Sequence, residues 1–351
     1  MVKKTNRPGF PSLLLCLVVQ TRFLRARGTS RWREARRYAS LAVLFLLATN
    51  GSWAVVERLV EKRISVTAGR TSLTIDAYHG PISVVATAEP EIYVAVRQTM
   101  EVNSEAEADL RLHELELVVL EKETGGLAIQ ARYRKAVQWS WKTWPPVSLA
   151  FEVRVPRACD LDLLTRDGAI TVGDLQGAVK VRTLKGSIFL REIEGSVEAA
   201  SEQGDVAVTA CSQSLTIAAK DGNVLVGRTN GPTEVSDTNG LLEIQNARGP
   251  LRASGDGADL KIGFAYPLSA PAELVAAGGD IAVSFDTRNA FAIDAKASRF
   301  GYVRVRDLPL AITSGKVGAS HLSGQLKGGG PKVSIRASGG NIRLTGFAPM
   351  P

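Results

Sequence analysis

The chain of 351 residues is 45% hydrophobic and 22% charged, a balance that is typical of folded proteins and excludes wholesale disorder. Its three cysteines exclude a disulfide-rich scaffold and a four-thiolate zinc site. The formal net charge is +8, but residues 1–54 hold ten basic side chains and one acidic one, so the nearly neutral remainder lacks the basic surface that nucleic-acid binding requires.

Residues 1–54 are predicted to be an export leader. Four arginines between positions 31 and 37 precede a short apolar run at 41–48. Ser52 and Ala54 place small residues at the −3 and −1 positions of a cleavage site before Val55. The apolar run is shorter than the ~20 residues of a membrane span, so the sequence predicts an extracytoplasmic protein (periplasmic, secreted or cell-surface) after Sec-type export. An uncleaved N-terminal anchor is the alternative, and it would be the protein's only contact with a membrane.

Residues 55–157 are predicted to form an N-terminal β region. The polar and acidic stretch 101–109 indicates a loop or one short helix. Segments 115–119 and 127–131, joined by a glycine-containing turn, predict a β-hairpin. Apolar and polar side chains alternate over 147–155, which predicts a further strand.

The candidate ligand-binding residues lie in this same region. Trp139, Trp141 and Trp144 are the only tryptophans beyond the predicted leader, and Lys142 and Arg134 lie close to them. On a strand, the first two rings would share one face, where exposed aromatic rings flanked by cations could stack on sugar rings or lie at a lipid headgroup surface. The alternative is that the three rings cover one end of the hydrophobic core.

From residue 161 the chain repeats every 18 residues. The six blocks begin at Leu161, Val179, Val197, Leu215, Thr233 and Leu251. Offset +7 is glycine in the first five blocks, at Gly168, Gly186, Gly204, Gly222 and Gly240. Offsets +2, +9 and +11 are apolar in all six, and the +9 column reads Ile170, Ile188, Val206, Val224, Leu242 and Leu260. Offset +14 is small or apolar, at Leu175, Ile193, Cys211, Thr229, Ala247 and Ala265.

This pattern predicts an all-β fold: a parallel β-solenoid with 18-residue coils and two main strands per coil over residues 158–347, capped by the N-terminal β region. Apolar residues at alternate positions give each strand one inward face. A single block cannot bury that face, whereas stacked blocks share one continuous core. Further copies of the template are predicted at 73–84, 272–283, 308–317 and 333–344.

Other solenoids of similar coil length fit the offsets less well. A left-handed hexapeptide helix needs an apolar residue at every sixth position, and a calcium-binding roll needs Gly-Gly-x-Gly-x-Asp turns. An ice-binding solenoid would stack threonines. The outward column at offset +1 instead varies in charge, through Asp162, Lys180, Glu198, Thr216, Glu234 and Arg252. We interpret this variation as a device that separates like charges on neighbouring strands and maintains solubility.

No catalytic residue, metal site or cofactor is predicted. His79, His113 and His321 share no ligand spacing and are interpreted as solvated loop residues. Cys159 and Cys211 lie nearly three coils apart, about 14 Å along the stack, and are predicted not to form a disulfide. Cys211 is interpreted as a small core residue because it occupies an apolar column.

Two stretches carry a family resemblance. FEVRVP at 151–156 followed by LDLLTRDGAITV at 161–172, together with VSIRASGGNIRL at 333–344, resembles the β-strand repeats of bacterial "putative adhesin" proteins. These are uncharacterised proteins with toast-rack-like solenoid domains, and the resemblance spans most of residues 65–347. It implies adhesion, and relatives with such domains take part in envelope-stress sensing. The resemblance supplies no catalytic residue.

These observations together predict an exported, non-enzymatic module at the cell envelope that binds a partner or has a structural role. The expected partner is a cell-surface glycan or an envelope protein. An envelope-stress sensing scaffold is the first alternative. A polysaccharide-cleaving β-helix enzyme is the second, and it would require acids clustered in a groove.

Overall fold

The structure is a computed structural model that describes residues 54–66, 71–122, 125–134, 147–298 and 300–348. The predicted leader, apart from Ala54, lies outside the described residues. Its boundary therefore stays a prediction, as does the division into 55–157 and 158–347. The described part of the chain contains no helix with the length and hydropathy needed to span a membrane.

Within these ranges the chain forms one helix and 27 strands. The helix α1 is Glu105–Glu114. The strands are β1 (Ala54–Ser65), β2 (Thr71–Ala77), β3 (Ile82–Thr87), β4 (Glu91–Val102), β5 (Leu115–Glu121), β6 (Gly126–Tyr133), β7 (Ser148–Pro156), β8 (Cys159–Asp167), β9 (Ile170–Val172), β10 (Val179–Lys185), β11 (Ile188–Ile193), β12 (Val197–Gln203), β13 (Val206–Cys211), β14 (Leu215–Asp221), β15 (Val224–Thr229), β16 (Thr233–Thr238), β17 (Leu241–Ala247), β18 (Leu251–Asp256), β19 (Asp259–Phe264), β20 (Ala272–Ala277), β21 (Ile281–Asp286), β22 (Phe291–Ala297), β23 (Val303–Arg306), β24 (Ala311–Gly315), β25 (His321–Leu326), β26 (Lys332–Ser338) and β27 (Ile342–Phe347).

The strands form two long sheets, and each coil gives one strand to each. Sheet A has the order β1-β4-β7-β3-β9-β11-β13-β15-β17-β19-β21-β27-β23. Sheet B has the order β24-β25-β22-β26-β20-β18-β16-β14-β12-β10-β8-β2-β6-β5. From β8 to β19 the neighbours within each sheet are parallel and offset by 18 residues, as in the pairs Leu161 with Val179 and Ile170 with Ile188. The predicted all-β solenoid, with two main strands per coil, is confirmed.

One hydrophobic core runs between the two sheets. Its sheet-A wall includes Ile170, Ile188, Val206 and Val224, all at most 1% exposed and all in the same buried cluster. The +7 glycines permit the tight stacking of the turns between strands. Gly186 has φ +135°, and a Cβ there would clash with the carbonyl oxygen of Gly168 in the preceding coil.

A second inward column, at offset +4, is polar for much of its length. Thr165, Thr183 and Ser201 are buried, and their hydroxyls donate to turn-glycine carbonyls of the neighbouring coil at 3.1–3.3 Å. Asp237 occupies the same column and is 2% exposed, but neither of its carboxyl oxygens has a hydrogen-bond partner. Burial raises the pKa of Asp237 to about 6.

The spatial order of the coils differs from the chain order at both ends. The β2/β3 coil lies between the β6/β7 coil, which follows it in sequence, and the β8/β9 coil. At the other end the β26/β27 coil is inserted between β20/β21 and β22/β23. Each end coil is therefore held by a strand pair that is distant in sequence, which opposes fraying.

Several local predictions are confirmed. Strands β5 and β6 form the predicted antiparallel hairpin. The short helix begins after Ser104, whose hydroxyl accepts the N–H of Glu107 at 3.2 Å as an N-cap. Cys159 and Cys211 are buried free thiols, and burial raises the pKa of Cys159 to about 12.

Three other local predictions are wrong. In the last regular block the +14 position pairs through Phe264 rather than Ala265, because a bulge in β17 shifts the register and Phe264 stacks on Phe285 at 5.2 Å. The template copy at 308–317 is not a coil, since β24 is fully exposed and pairs antiparallel with β25. The corresponding coil is formed by β22 and β23. Finally, His113 and His321 lie in α1 and β25 rather than in loops.

Candidate functional site

A continuous groove follows sheet B along the side where each coil enters its sheet-B strand. It consists of two cavities of about 560 Å³ and about 590 Å³, which share Ser214 and Thr216. We call this feature the sheet-B groove. It extends across nine neighbouring strands, from β2 to β26. At ~4.8 Å per strand the groove is about 38 Å long.

The main side chains of the groove form the outward column at offset +1. Each lies between two buried positions of its strand, so the alternation of the β-strand directs it to the outer face. Backbone pairing places these residues on consecutive coils in the order Thr74, Asp162, Lys180, Glu198, Thr216, Glu234, Arg252, Glu273 and Ser334.

Ion pairs between coils organise this column. Lys180 Nζ lies 2.7 Å from Glu198 Oε2, and Arg252 Nε lies 3.8 Å from Glu273 Oε2. At one end of the groove, Lys122 Nζ donates to the hydroxyl of Thr74 at 2.7 Å. The charged groups are largely exposed, so these pairs contribute little to stability, on the order of 0–1 kcal/mol each. Their main effect is to fix an ordered series of donors and acceptors along the groove.

The second wall is formed by the residue that precedes each buried strand start. This column contains Asp160, Ala178, Ser196, Ser214, Pro232, Pro250 and Pro271. The prolines suit strand entry because they need no N–H there, and the carbonyl of Pro232 accepts the N–H of Leu215 at 2.9 Å. One half of the groove therefore has a polar wall, and the other half has three consecutive proline rings.

This arrangement can bind a polar chain through side chains alone. Carboxylates, ammonium and guanidinium groups and hydroxyls recur once per coil, and together they can accept and donate hydrogen bonds to a polyhydroxyl ligand. The bordering strands are interior strands whose backbone groups already pair with neighbours on both sides. A peptide cannot add to the groove as an extra strand, because strand addition needs an open edge.

The sequence also contains one Ser, His and Asp grouping, in strands β22 and β25. His321 Nε2 lies 3.1 Å from Asp294 Oδ1 and 3.0 Å from Ser323 Oγ, and the Ser323 hydroxyl lies 3.0 Å from the same carboxyl oxygen. A catalytic triad needs the acid and the serine on opposite ring nitrogens, so this geometry is not a proton relay. Burial raises the pKa of Asp294, but the hydrogen bonds from Ser323 and His321 outweigh it and lower the pKa overall.

The described residues contain no group of three or more His, Cys, Asp or Glu side chains that could hold a metal ion. The acids of the sheet-B groove lie on successive coils and alternate with bases or hydroxyls. They form a ladder, whereas glycoside hydrolysis needs two carboxyl groups that face each other across one bond.

The predicted aromatic site is not tested. Trp139, Trp141, Trp144 and Lys142 lie outside the described residues. Arg134 is described, and it is exposed directly after β6, where its N–H donates to Glu114 O at 2.9 Å. The two sides of the segment meet at its base, since the Tyr133 hydroxyl donates to the Val147 carbonyl at 3.2 Å.

Sequence reasoning identified the +1 column but interpreted its charges as a solubility device. It missed the entry column completely, although Pro232 and Pro250 recur with the 18-residue period and Pro271 follows after an insertion. Recurrence of proline at one strand entry was the available signal. Concavity was not available, because it arises only when the two columns are stacked.

Comparisons with known proteins give solved structures alone, since neither a family model nor a curated protein matches the chain. A putative cell adhesion protein from Clostridium sporogenes is 12% identical, with 83% of this chain and 100% of that chain covered and a TM-score of 0.25. Putative adhesins from Bacteroides fragilis and Parabacteroides distasonis are 10% and 9% identical, with TM-scores of 0.35 and 0.37; each covers 83% of this chain and 97% of its own.

These names match the resemblance found in the sequence, which is confirmed to that extent, and an adhesin-like role at a cell surface is consistent with them. The identities and TM-scores are too low to carry an argument about a ligand or an activity. The assignment of the fold therefore rests on the strand register described above.

Proposed function

We propose that the protein is an exported, non-enzymatic, adhesin-like module of the cell envelope that binds an extended carbohydrate chain in the sheet-B groove. The observation that carries this proposal is the regular recurrence of polar side chains along the groove, once per coil, over about 38 Å. A carbohydrate polymer has the same property, since it repeats its hydroxyl groups at every sugar unit.

The spacing supports a carbohydrate over a peptide. An extended β-linked sugar chain advances by about one strand spacing, ~4.8 Å, per unit, so one sugar can face one coil. An extended peptide advances ~3.3 Å per residue and falls out of step with the coils. The proline wall adds apolar edges against which the CH faces of sugar rings can pack.

The test is glycan-array and titration binding of the full chain, compared with two double variants. Lys180→Ala/Arg252→Ala removes one cation from each half of the groove. The matched control is Lys261→Ala/Arg343→Ala, which removes two exposed cations from ion pairs on the outer face of sheet A, with Glu243 and Asp280.

We expect the groove variant to lose at least about 10-fold in affinity, since hydrogen bonds to charged groups are worth ~1.5–3 kcal/mol, while the control stays unchanged. Equal affinities in both variants would contradict a groove site. Trp139→Ala/Trp141→Ala, run beside them, tests the aromatic prediction separately. Shortening of the bound glycan during incubation would favour the polysaccharide-cleaving alternative.

Export has its own test. We expect the protein in an extracytoplasmic fraction, with an N-terminus at Val55 on direct sequencing. An intact leader that sediments with membranes would replace the cleaved form with the anchored one, which suits the sensing-scaffold alternative. Retention in the cytoplasm would contradict export.

A further inference from the structure

The sheet-B groove contains an internal repeat that is longer than one coil. Its outward column consists of a hydroxyl, an acid, a base and an acid, followed by the same four types and a final hydroxyl. In coil order the residues are Thr74, Asp162, Lys180 and Glu198, then Thr216, Glu234, Arg252 and Glu273, then Ser334. The period is four coils, about 19 Å along the stack.

The two halves match in their interactions as well as in residue type. In each half the base pairs with the acid that follows it, Lys180 with Glu198 and Arg252 with Glu273. The leading acids, Asp162 and Glu234, have no ion-pair or hydrogen-bond partner among the described side chains. Each half therefore presents one unpaired carboxylate beside a neutralised pair.

The repeat coincides with the two cavities. The cavity of about 560 Å³ is lined by Thr74, Asp162, Lys180, Glu198 and Thr216. The cavity of about 590 Å³ is lined by the equivalent series from Thr216 to Ser334. The shared Thr216 marks the boundary. A charge pattern that served solubility alone would have no reason to share its period with the cavities.

We propose that the sheet-B groove holds two equivalent subsites, each taking four units of a β-linked amino-sugar chain. This inference rests on the proposed function. The free amine of one sugar pairs with Asp162 in the first subsite, and that of the sugar four units along pairs with Glu234 in the second. Each acid–base–acid series carries a net charge of −1, which favours a cationic sugar over a neutral or acidic one.

The subsites differ in their wall and at their outer ends. Pro232, Pro250 and Pro271 line the second subsite, whereas the first has Asp160, Ala178 and Ser196 in the same column. The second subsite offers more apolar contact to ring faces and binds more tightly. Lys122 and Lys332 lie at the two outer ends of the groove, where a cation disfavours a further amine.

The test uses glucosamine oligomers with four and eight units, and their N-acetylated forms as uncharged controls of equal length. Isothermal titration of the full chain should give two tetramers bound per chain but one octamer. The octamer should bind about 100-fold more tightly than the tetramer, because the second contact is intramolecular. The N-acetylated forms should bind at least about 10-fold more weakly than the amines.

Three variants separate the subsites. Asp162→Asn and Glu234→Gln should each leave one tetramer per chain and reduce octamer affinity to about that of the tetramer. Glu202→Gln, an exposed acid of β12 outside the groove lining, should change neither value.

One tetramer per chain, or octamer affinity unchanged by both groove variants, would overturn the paired subsites. If N-acetylated oligomers bind as well as the amines and lose affinity in Lys180→Ala/Arg252→Ala, the groove function stands and only the amine assignment fails. If no oligomer or arrayed glycan binds the groove, both the proposed function and this inference fail.

Discussion

Replacing Asp237 with serine is expected to stabilise the protein at neutral pH. The position belongs to the inward polar column in which Thr183 and Ser201 donate to glycine carbonyls 15 residues earlier. The equivalent acceptor for position 237 is the carbonyl of Gly222. An ionised carboxylate has no proton to donate to it, and both Asp237 oxygens are buried without a partner. A serine hydroxyl would restore the donor.

The magnitude follows from the pKa of Asp237, which burial raises from 3.8 to about 6. Each unit corresponds to 1.36 kcal/mol, so the buried carboxylate costs about 2–3 kcal/mol once it is ionised. The sign follows from the raised pKa in the folded state. The cost is absent below about pH 4, where the group is protonated in both states. It grows as pH rises and is complete above about pH 7.

The assay is chemical unfolding of wild type and Asp237→Ser between pH 4 and pH 8, with the exposed Asp256→Ser as control. We expect the stability difference between Asp237→Ser and wild type to grow by about 2–3 kcal/mol over this range, and that of the control to stay flat. A difference that is constant with pH, or a variant less stable than wild type at pH 8, would refute the reasoning.

Three further predictions concern packing and reactivity. Gly186→Ala should lower the free energy of unfolding by about 1–3 kcal/mol or more, because its φ of +135° and the facing Gly168 carbonyl exclude a Cβ. Gly173→Ala, which has ordinary contacts, is the control, and equal losses would contradict the turn-stacking explanation. Phe285→Ala should cost about 3–5 kcal/mol in denaturant unfolding, since the ring stacks on two other buried phenylalanines, and a loss below 1 kcal/mol would contradict a packed core. The Cys159 thiol, with a pKa of about 12, should resist alkylation at pH 8 until denaturant is added, and rapid modification of the native protein would contradict its burial.

The regular coils were predictable because their information is local. A strand of the solenoid contacts the strand 18 residues away, so periodic apolar positions such as Ile170, Ile188 and Val206 report both the register and the core. A single shift escaped this reasoning. In β19 the alternation of Leu260 and Ile262 continues to Phe264, whereas strict periodicity points to Ala265.

The ends were not predictable in the same way. Insertion of β26/β27 between coils that precede it in the chain is decided by which strands complete each other's edges, and no periodicity records that choice. The copy at 308–317 has template spacing, yet Ile312 and Val317 are exposed, while Phe291 and Ile293 are buried in the coil that the template missed. Burial there depends on tertiary position rather than on spacing.

The candidate site was half visible in the sequence. The charges from Asp162 to Arg252 form an evident column, but the four-coil period needs Glu273 and Ser334, which insertions move out of the 18-residue register. Only the strand pairing returns them to the column. The predicted aromatic site at Trp139, Trp141 and Trp144 stays a prediction, independent of the groove.

The most direct measurement is a crystal structure of the full chain with the tightest-binding oligosaccharide from the glycan array. The sugar chain should lie along the solenoid axis in the sheet-B groove, one unit per coil, with contacts to both Lys180 and Arg252. A sugar chain bound on sheet A, at residues 139–144, or across the coils would contradict the central claim.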